Sequence, residues 1–229
     1  MMVQTSEERI PVERGTKFIA GDLTVPDHVR GSIIFAHGSG SGRFSPRNRY
    51  VARVLNDAAY ATLLADLLTP SEEAVDARTA SLRFDVEMLA ERLADAAQWM
   101  LAPNRLRELP VGYFGASTGA AAALIAAARR PERIRAVVSR GGRPDLAGAA
   151  LASVRAPTLL IVGENDPVVI DLNRVAAKRM TVEVAFEIVP HATHLFEEAG
   201  ALERVADLAR QWFDEHVVDK TKRPQGSCA

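Results

Sequence analysis

The sequence predicts an α/β protein: a mostly parallel central sheet with helices on both faces and an antiparallel hairpin at its N-terminal edge. Three observations carry this expectation. Short apolar runs, Ser32–Ala36, Ala61–Ala65, Ile134–Ser139 and Thr158–Val162, have the composition of strands buried on both faces. From Ser32 onward these runs alternate with segments of helical periodicity, the pattern of right-handed β-α-β crossovers. No internal repeat and no Gly/Ser linker interrupts the chain, so residues 1–219 are expected to form one domain, with 220–229 a disordered tail.

Glu8–Arg14 and Lys17–Val25 flank Gly15-Thr16 with partial alternation and β-branched residues, which predicts a hairpin. Ser32–Ala36 runs into the glycine-rich loop His37-Gly-Ser-Gly-Ser-Gly42. Ser45-Pro46 has the form of an N-cap followed by proline at the first helical position, opening a helix to about Ala58. Ala61–Ala65 is the next strand, closed by Asp66, and Leu67–Thr79, with its Pro, Ser and acidic residues, is expected to be a loop. Leu82, Val86, Leu89, Leu93, Ala97 and Met100 form one stripe of a helix from about Ser81 to Leu101, ended by Pro103-Asn104. A buried strand and an Ala-rich helix meet at Ser117. Beyond Ile134–Ser139, a short helix over Asp145–Val154 precedes Thr158–Val162. A helix from about Pro167 to Met180, a strand over Val182–Val189 and a helix from Phe196 to His216 close the chain. The span from Ser139 to Pro157 has no room for a large lid, which predicts a shallow, open pocket suited to small soluble substrates.

Bulk properties narrow the function. A net charge of −1 gives no basis for binding nucleic acid or an anionic membrane. The single cysteine, Cys228, excludes a disulfide framework and a thiol metal site, and neither a metal nor an organic cofactor is expected. Residues 1–9 lack the apolar core of a signal peptide, and Gly119–Ala128 is too short to span a bilayer. A cytoplasmic location follows as the expectation. The loop Gly38–Gly42 lacks the Gly-Lys-Ser/Thr end of a phosphate-binding loop and the spacing of a dinucleotide fingerprint, and no acidic pyrophosphate-binding loop is visible. Oligomeric state is not readable from the sequence.

The chemistry centres on Gly115-Ala-Ser117-Thr-Gly119. A strand enters it and a helix leaves it, as a nucleophile elbow requires. A serine held at a strained turn exposes its hydroxyl above the sheet edge, and glycines two residues either side avoid collision. In a doubly covered parallel sheet the loops at the carboxyl ends of the strands form the binding crevice. Four such loops carry His37–Gly42, Ser117, Asp166 and His194. A serine hydroxyl needs a base, a role for His194, and the base needs a carboxylate to fix its tautomer, a role for Asp166. The backbone N–H groups of Ser39 and Thr118 are the candidate oxyanion donors. His191, Glu164 and Asp171 are the competing residues. His37 and Gly38 border the substrate site, with His37 better suited to shaping the loop than to catalysis.

At this point the chain resembles the α/β-hydrolase superfamily and, within it, the dienelactone hydrolase-like branch without a lid. The resemblance runs from about Lys17 to Val217. It rests on His37-Gly38, Gly-Ala-Ser117-Thr-Gly, Gly163-x-x-Asp166 and Ala192-Thr-His194-Leu-Phe. It implies the chain order Ser, Asp, His for a catalytic triad, favours His194 over His191, and implies hydrolysis of carboxylic esters. Dienelactone hydrolases proper have a cysteine where this chain has Ser117, which leaves ester chemistry intact and the dienelactone substrate open. An acyltransferase or thioesterase would use the same triad, and a silent binding module would not need it intact.

Two arginine-rich loops lie at the same predicted edge, Gly42–Arg49 and Ser139–Arg143. Arg140, with Arg43 or Arg47, would orient an anionic group of a small ester substrate through the planar guanidinium fork. Alternatively these arginines fix the loops through ion pairs, with Asp66 or Asp145 as partners. The sequence leaves both open.

Overall fold

The structure is a computed structural model and describes residues 3–102, 106–107 and 109–218. The expected helix end at Pro103-Asn104, the tail 220–229 and Cys228 lie outside the described residues, as do the first two residues and position 219 of the expected domain.

Eight strands lie in one sheet among the described residues: β1 (Val3–Val12), β2 (Lys17–Pro26), β3 (Gly31–Ala36), β4 (Tyr60–Ala65), β5 (Val111–Ala116), β6 (Ile134–Arg140), β7 (Thr158–Gly163) and β8 (Val184–Val189). Their order is β1-β2-β4-β3-β5-β6-β7-β8. β2 runs antiparallel to β1 and β4, and every other neighbouring pair is parallel. This is an α/β-hydrolase fold with an N-terminal antiparallel hairpin, as the residue pattern predicts. The strand order reverses between β3 and β5. The crevice outside the carboxyl ends of these two strands is therefore the topological switch point where ligands bind in open α/β sheets.

The helices are α1 (Pro46–Asp57), α2 (Pro70–Thr79), α3 (Val86–Met100), α4 (Thr118–Arg129), α5 (Pro167–Ala177) and α6 (Ala201–His216). α1 and α6 pack on one face of the sheet, while α3 and α4 pack on the other. The residues of β3, β4, β5 and β7 are buried throughout, which is why they read as continuous apolar runs rather than alternating ones. Among the described residues, no helix is long and apolar enough to cross a membrane.

Several boundaries depart from expectation for identifiable reasons. β1 begins at Val3, earlier than Glu8, because Val3 already pairs with Pro26 across the hairpin, and a 3-10 turn over Glu13–Gly15 replaces the strand end. The helix expected from Ser81 begins at Val86, where the Asp85 side chain accepts the Met88 N–H at 3.0 Å, with a separate 3-10 turn at Leu82–Phe84. The segment after β6 is a 3-10 stretch, Pro144–Ser153, broken by Gly148 at φ 54°. α6 begins at Ala201, after Gly200 at φ 79°, and Phe196 lies in the preceding loop. No lid is inserted between β6 and β7.

The main correction concerns Leu67–Thr79, expected as a loop. It contains α2. The helix carries few apolar residues, so periodicity is silent, yet its start is written as a capping box. Thr69 accepts the Glu72 N–H, and the Glu72 carboxylate accepts the Thr69 N–H at 2.8 Å. Pro70 occupies the first helical position.

α2 is anchored by Arg92 of α3, whose side chain is 1% exposed. Its guanidinium donates to Glu72 at 2.7 Å, to Glu13 at 2.7 Å and to the Leu67 carbonyl at 2.9 Å. The Arg92 hydrogen bonds hold the Glu72 carboxyl well below the ordinary carboxylate range. Removing one partner of a buried ion pair leaves the other uncompensated, so Arg92→Met is expected to cost about 3 kcal/mol in urea unfolding at neutral pH. Glu72 has a depressed folded pKa, so its contribution is full above the unfolded carboxyl pKa of about 4.3 and is lost as pH falls from there toward the folded value. The gap between wild type and variant should therefore narrow below about pH 4.

Candidate active site

β5 delivers Ser117 to the head of α4. Its backbone sits at φ 51°, ψ −123°, a strained conformation for a residue with a side chain. The flanking glycines are set by close approach. A Cβ at Gly115 would lie 2.5 Å from the Ala120 Cα, and one at Gly119 would lie 2.2 Å from the Ala36 carbonyl oxygen. Any side chain at either position would push helix and sheet apart. The elbow is tied to the sheet by the Ser117 N–H, which donates to the Arg140 carbonyl at 3.3 Å, and by the Arg143 N–H, which donates to Ser117 O at 3.0 Å.

The β3 loop reaches over the elbow. A Cβ at Gly38 would stand 2.8 Å from the Ser117 Cβ, so glycine lets this loop approach the hydroxyl. His37 shapes the loop. Its Nε2 accepts the Leu67 N–H at 3.0 Å, so Nδ1 carries the proton and donates to the Gly38 carbonyl at 2.9 Å. Burial holds this imidazole below its ordinary pKa, consistent with a neutral ring spent on backbone. The Ser39 N–H donates to Thr118 Oγ1 at 3.0 Å. One expected oxyanion donor is thus engaged by the side chain of the residue that supplies the other. The Thr118 N–H lies at the first position of α4, where a helix leaves its N–H groups unpaired.

β7 and β8 position the remaining pair. His194 Nδ1 and Asp166 Oδ2 are 2.8 Å apart, with the Asp166 side chain 17% exposed. Asp166 precedes α5 and makes no capping bond, so its carboxylate is free to hold the imidazole. The competing His191 is 91% exposed and stands 3.5 Å from Glu164. Asp171 lies within α5 and pairs with Arg174. His194 borders the end of β6, since a Cβ at Gly141, the residue after Arg140, would lie 3.5 Å from the His194 Cε1. Ser117 and His194 therefore flank the same strand end. No hydrogen bond joins their side chains, a contact that commonly tightens only when substrate is bound.

The arginines divide. Arg43 is held by Asp22 at 3.2 Å, Glu7 at 2.8 Å and Asp66, whose carboxylate also accepts the Arg43 N–H at 2.8 Å. Arg143 pairs with Asp145 at 2.8 Å and Arg47 with Glu197 at 2.8 Å. These contacts fix loops. Arg140 has no such partner.

A cleft of about 410 Å³, open to solvent, adjoins the elbow through Gly38, Ser39 and Thr118. Phe44, Leu68 and Leu89 give it apolar walls, and Glu73 and Asp76 of α2 with Arg83 form its far side. The α2 residues are absent from the expected site because the segment reads as a loop. The Thr69 capping box is the signal that places them.

Comparison with known proteins agrees with this fold. Residues 20–215 match the family model described as "Dienelactone hydrolase family". The chain is 53% identical to a crystallised dienelactone hydrolase from Anabaena variabilis ATCC 29413, covering 93% of this chain and 99% of that one with a TM-score of 0.89. Est1E from Butyrivibrio proteoclasticus, 14% identical, shares the fold, with a TM-score of 0.75 over 91% of this chain and 98% of that one. A curated relative from Mycobacterium tuberculosis (strain ATCC 25618 / H37Rv), "Putative phosphoribosyl transferase Rv0571c", is 56% identical over 211 residues. The match covers 92% of this chain and 47% of that protein, so the chain spans about half the length of the curated relative. An elbow serine, a carboxylate-held histidine and a glycine-rich loop at the switch point thus coincide with a family match along nearly the whole sequence: the chain belongs to the dienelactone hydrolase family of α/β hydrolases.

Proposed function

We propose that the protein is a serine hydrolase that cleaves carboxylic esters of small substrates through an acyl-enzyme on Ser117. The observation that carries this reading is the 2.8 Å His194–Asp166 contact at the same edge of the sheet, the carboxyl ends of the parallel strands, as the strained elbow of Ser117.

Asp166 accepts the Nδ1 proton of His194, which leaves Nε2 unprotonated and basic. As Ser117 Oγ attacks the ester carbonyl carbon, its proton passes to Nε2. The carbonyl oxygen becomes an oxyanion and takes the Thr118 N–H, with the Ser39 N–H as second donor once it releases or shares the Thr118 hydroxyl. Each such donor is worth about 3 kcal/mol in the transition state. Collapse breaks the bond to the leaving alcohol, which takes the proton back from His194. Water then attacks the acyl-enzyme with His194 again as base, and Ser117 is released with its proton restored.

The open cleft beside Ser39 and Thr118 favours small acyl or alcohol groups over lipid chains. An acyltransferase or thioesterase would form the same acyl-enzyme and differ in acceptor or donor. The phosphoribosyl transferase name belongs to a relative about twice this length, of which the match covers 47%.

Rapid mixing with p-nitrophenyl acetate tests the reading. A burst of p-nitrophenol and an acetyl group on the Ser117 peptide are expected. An acetyl group on another residue, with Ser117 unmodified, would contradict it.

A further inference from the structure

Another cleft opens at the end of the sheet opposite Ser117. It lies where β5 and β6 begin, between the C-terminal half of α3 and the connection from α4 to β6, and has a volume of about 480 Å³. That is within the range of small-molecule sites, about 300–1,000 Å³. Val111 and Ile134 at the strand starts, with Ala97 and Leu101 at the end of α3, give it apolar walls. Its charged groups are of one sign. Arg107, Arg130 and Arg133 line it, Gln98 adds a neutral amide, and among the described residues no acidic side chain does. The whole chain has a net charge of −1, so this is a local concentration of cations. The nearby carboxylates are committed elsewhere. Glu132, between Arg130 and Arg133 in sequence, pairs with Arg155 at 3.5 Å, and Glu91 pairs with Arg129 at 3.7 Å. Arg129 also occupies the last turn of α4, so the partial negative charge of that helix end has its cation without Arg130 or Arg133.

The inner wall carries a second, independent observation. Tyr113 is 1% exposed and yet lines the cleft. Among the described residues its hydroxyl has no hydrogen-bond partner; only burial and the Arg130 charge act on it. Burial pushes its pKa up, so at neutral pH the group is a protonated donor. A buried hydroxyl without a partner is costly, and phenylalanine would fill the same space without that cost.

The geometry points to a binding site for a small organic phosphate in this cleft. The phosphate is held by Arg130 and Arg133 with Arg107 at the rim, the apolar body lies over Val111 and Ile134, and an acceptor on that body takes the Tyr113 hydroxyl. A phosphate ester fits because it carries about −1.5 to −2 charge at neutral pH and offers three oxygens to the guanidinium forks. The site is separate from the ester chemistry. β5 runs from Val111 to Ala116 before it reaches the elbow, which puts Tyr113 about 13 Å along the strand from Ser117.

Calorimetry on the full chain tests it with three probes that share one body: 4-acetylphenyl phosphate, 4-acetylbenzoate and neutral 4-methoxyacetophenone. Wild type should bind the phosphate saturably, one per chain, the carboxylate more weakly and the neutral compound weakest. The double variant Arg130→Gln, Arg133→Gln should weaken phosphate binding by about tenfold or more, the range for hydrogen bonds to a charged group. Both arginines are exposed, so this variant is expected to fold. Tyr113→Phe should weaken binding by about twofold to tenfold while stability in urea holds or rises. Ser117→Ala should bind as wild type does, which separates this cleft from the nucleophile. Absence of saturable binding by wild type, or equal affinity in the double variant, overturns the site. A carboxylate bound as tightly as the phosphate overturns the ligand class, and a clear loss of stability in Tyr113→Phe overturns the part given to its hydroxyl.

Discussion

Ser117→Ala is expected to lower kcat/KM for an activated ester by about 10⁴-fold or more, leaving only what binding and the oxyanion donors contribute. The variant removes one oxygen from a side chain that makes no hydrogen bond in the fold. The strained backbone is fixed independently, through the Arg140 carbonyl and the Arg143 N–H. Stability should therefore hold or rise slightly while activity disappears. Steady-state kinetics with p-nitrophenyl acetate, alongside urea unfolding, separates the two effects. A residual rate within tenfold of wild type would mean that another group attacks the ester.

Asp166→Asn is expected to cost about 10⁴-fold in kcat with the fold intact. The carboxylate accepts from Nδ1 of His194 at 2.8 Å and makes no capping bond to α5. An amide in its place offers a donor to Nδ1, which shifts the ring proton to Nε2 and removes the base from the side facing Ser117. The charge lost at the start of α5 should change stability by no more than about 1 kcal/mol. His191→Ala is the matched control. Its side chain is 91% exposed against Glu164, and activity should be unchanged. A large loss in His191→Ala with Asp166→Asn active would exchange the roles of the two histidines.

The sheet and the elbow were legible in the sequence because both are dictated locally. A strand buried on both faces must be apolar throughout, and an elbow needs small residues at Gly115 and Gly119, where a Cβ would meet Ala120 and Ala36. The chain order Ser117, Asp166, His194 is legible in the sequence, and the contact with Asp166 distinguishes His194 from the exposed His191. What stayed hidden depends on partners remote in sequence. Asp66 and Asp145 do pair with loop arginines, but with Arg43 and Arg143, leaving Arg140 alone. Arg43 finds Asp22 and Glu7 on the hairpin, a contact no local pattern encodes. α2 was missed for another reason. It stands at the mouth of the crevice instead of on the sheet, so it needs no apolar stripe, and its evidence is a four-residue capping box. The engagement of the Ser39 N–H by the Thr118 hydroxyl likewise depends on two loops meeting across 79 residues.

The central claim is that Ser117 is an activated nucleophile. Reaction of the folded protein with a fluorophosphonate, followed by mass mapping, tests it most directly. The account predicts one adduct per chain, located on Ser117, with labelling abolished in Ser117→Ala and slowed strongly in Asp166→Asn. A folded protein that takes up no label, or takes it up at another residue, would contradict the account.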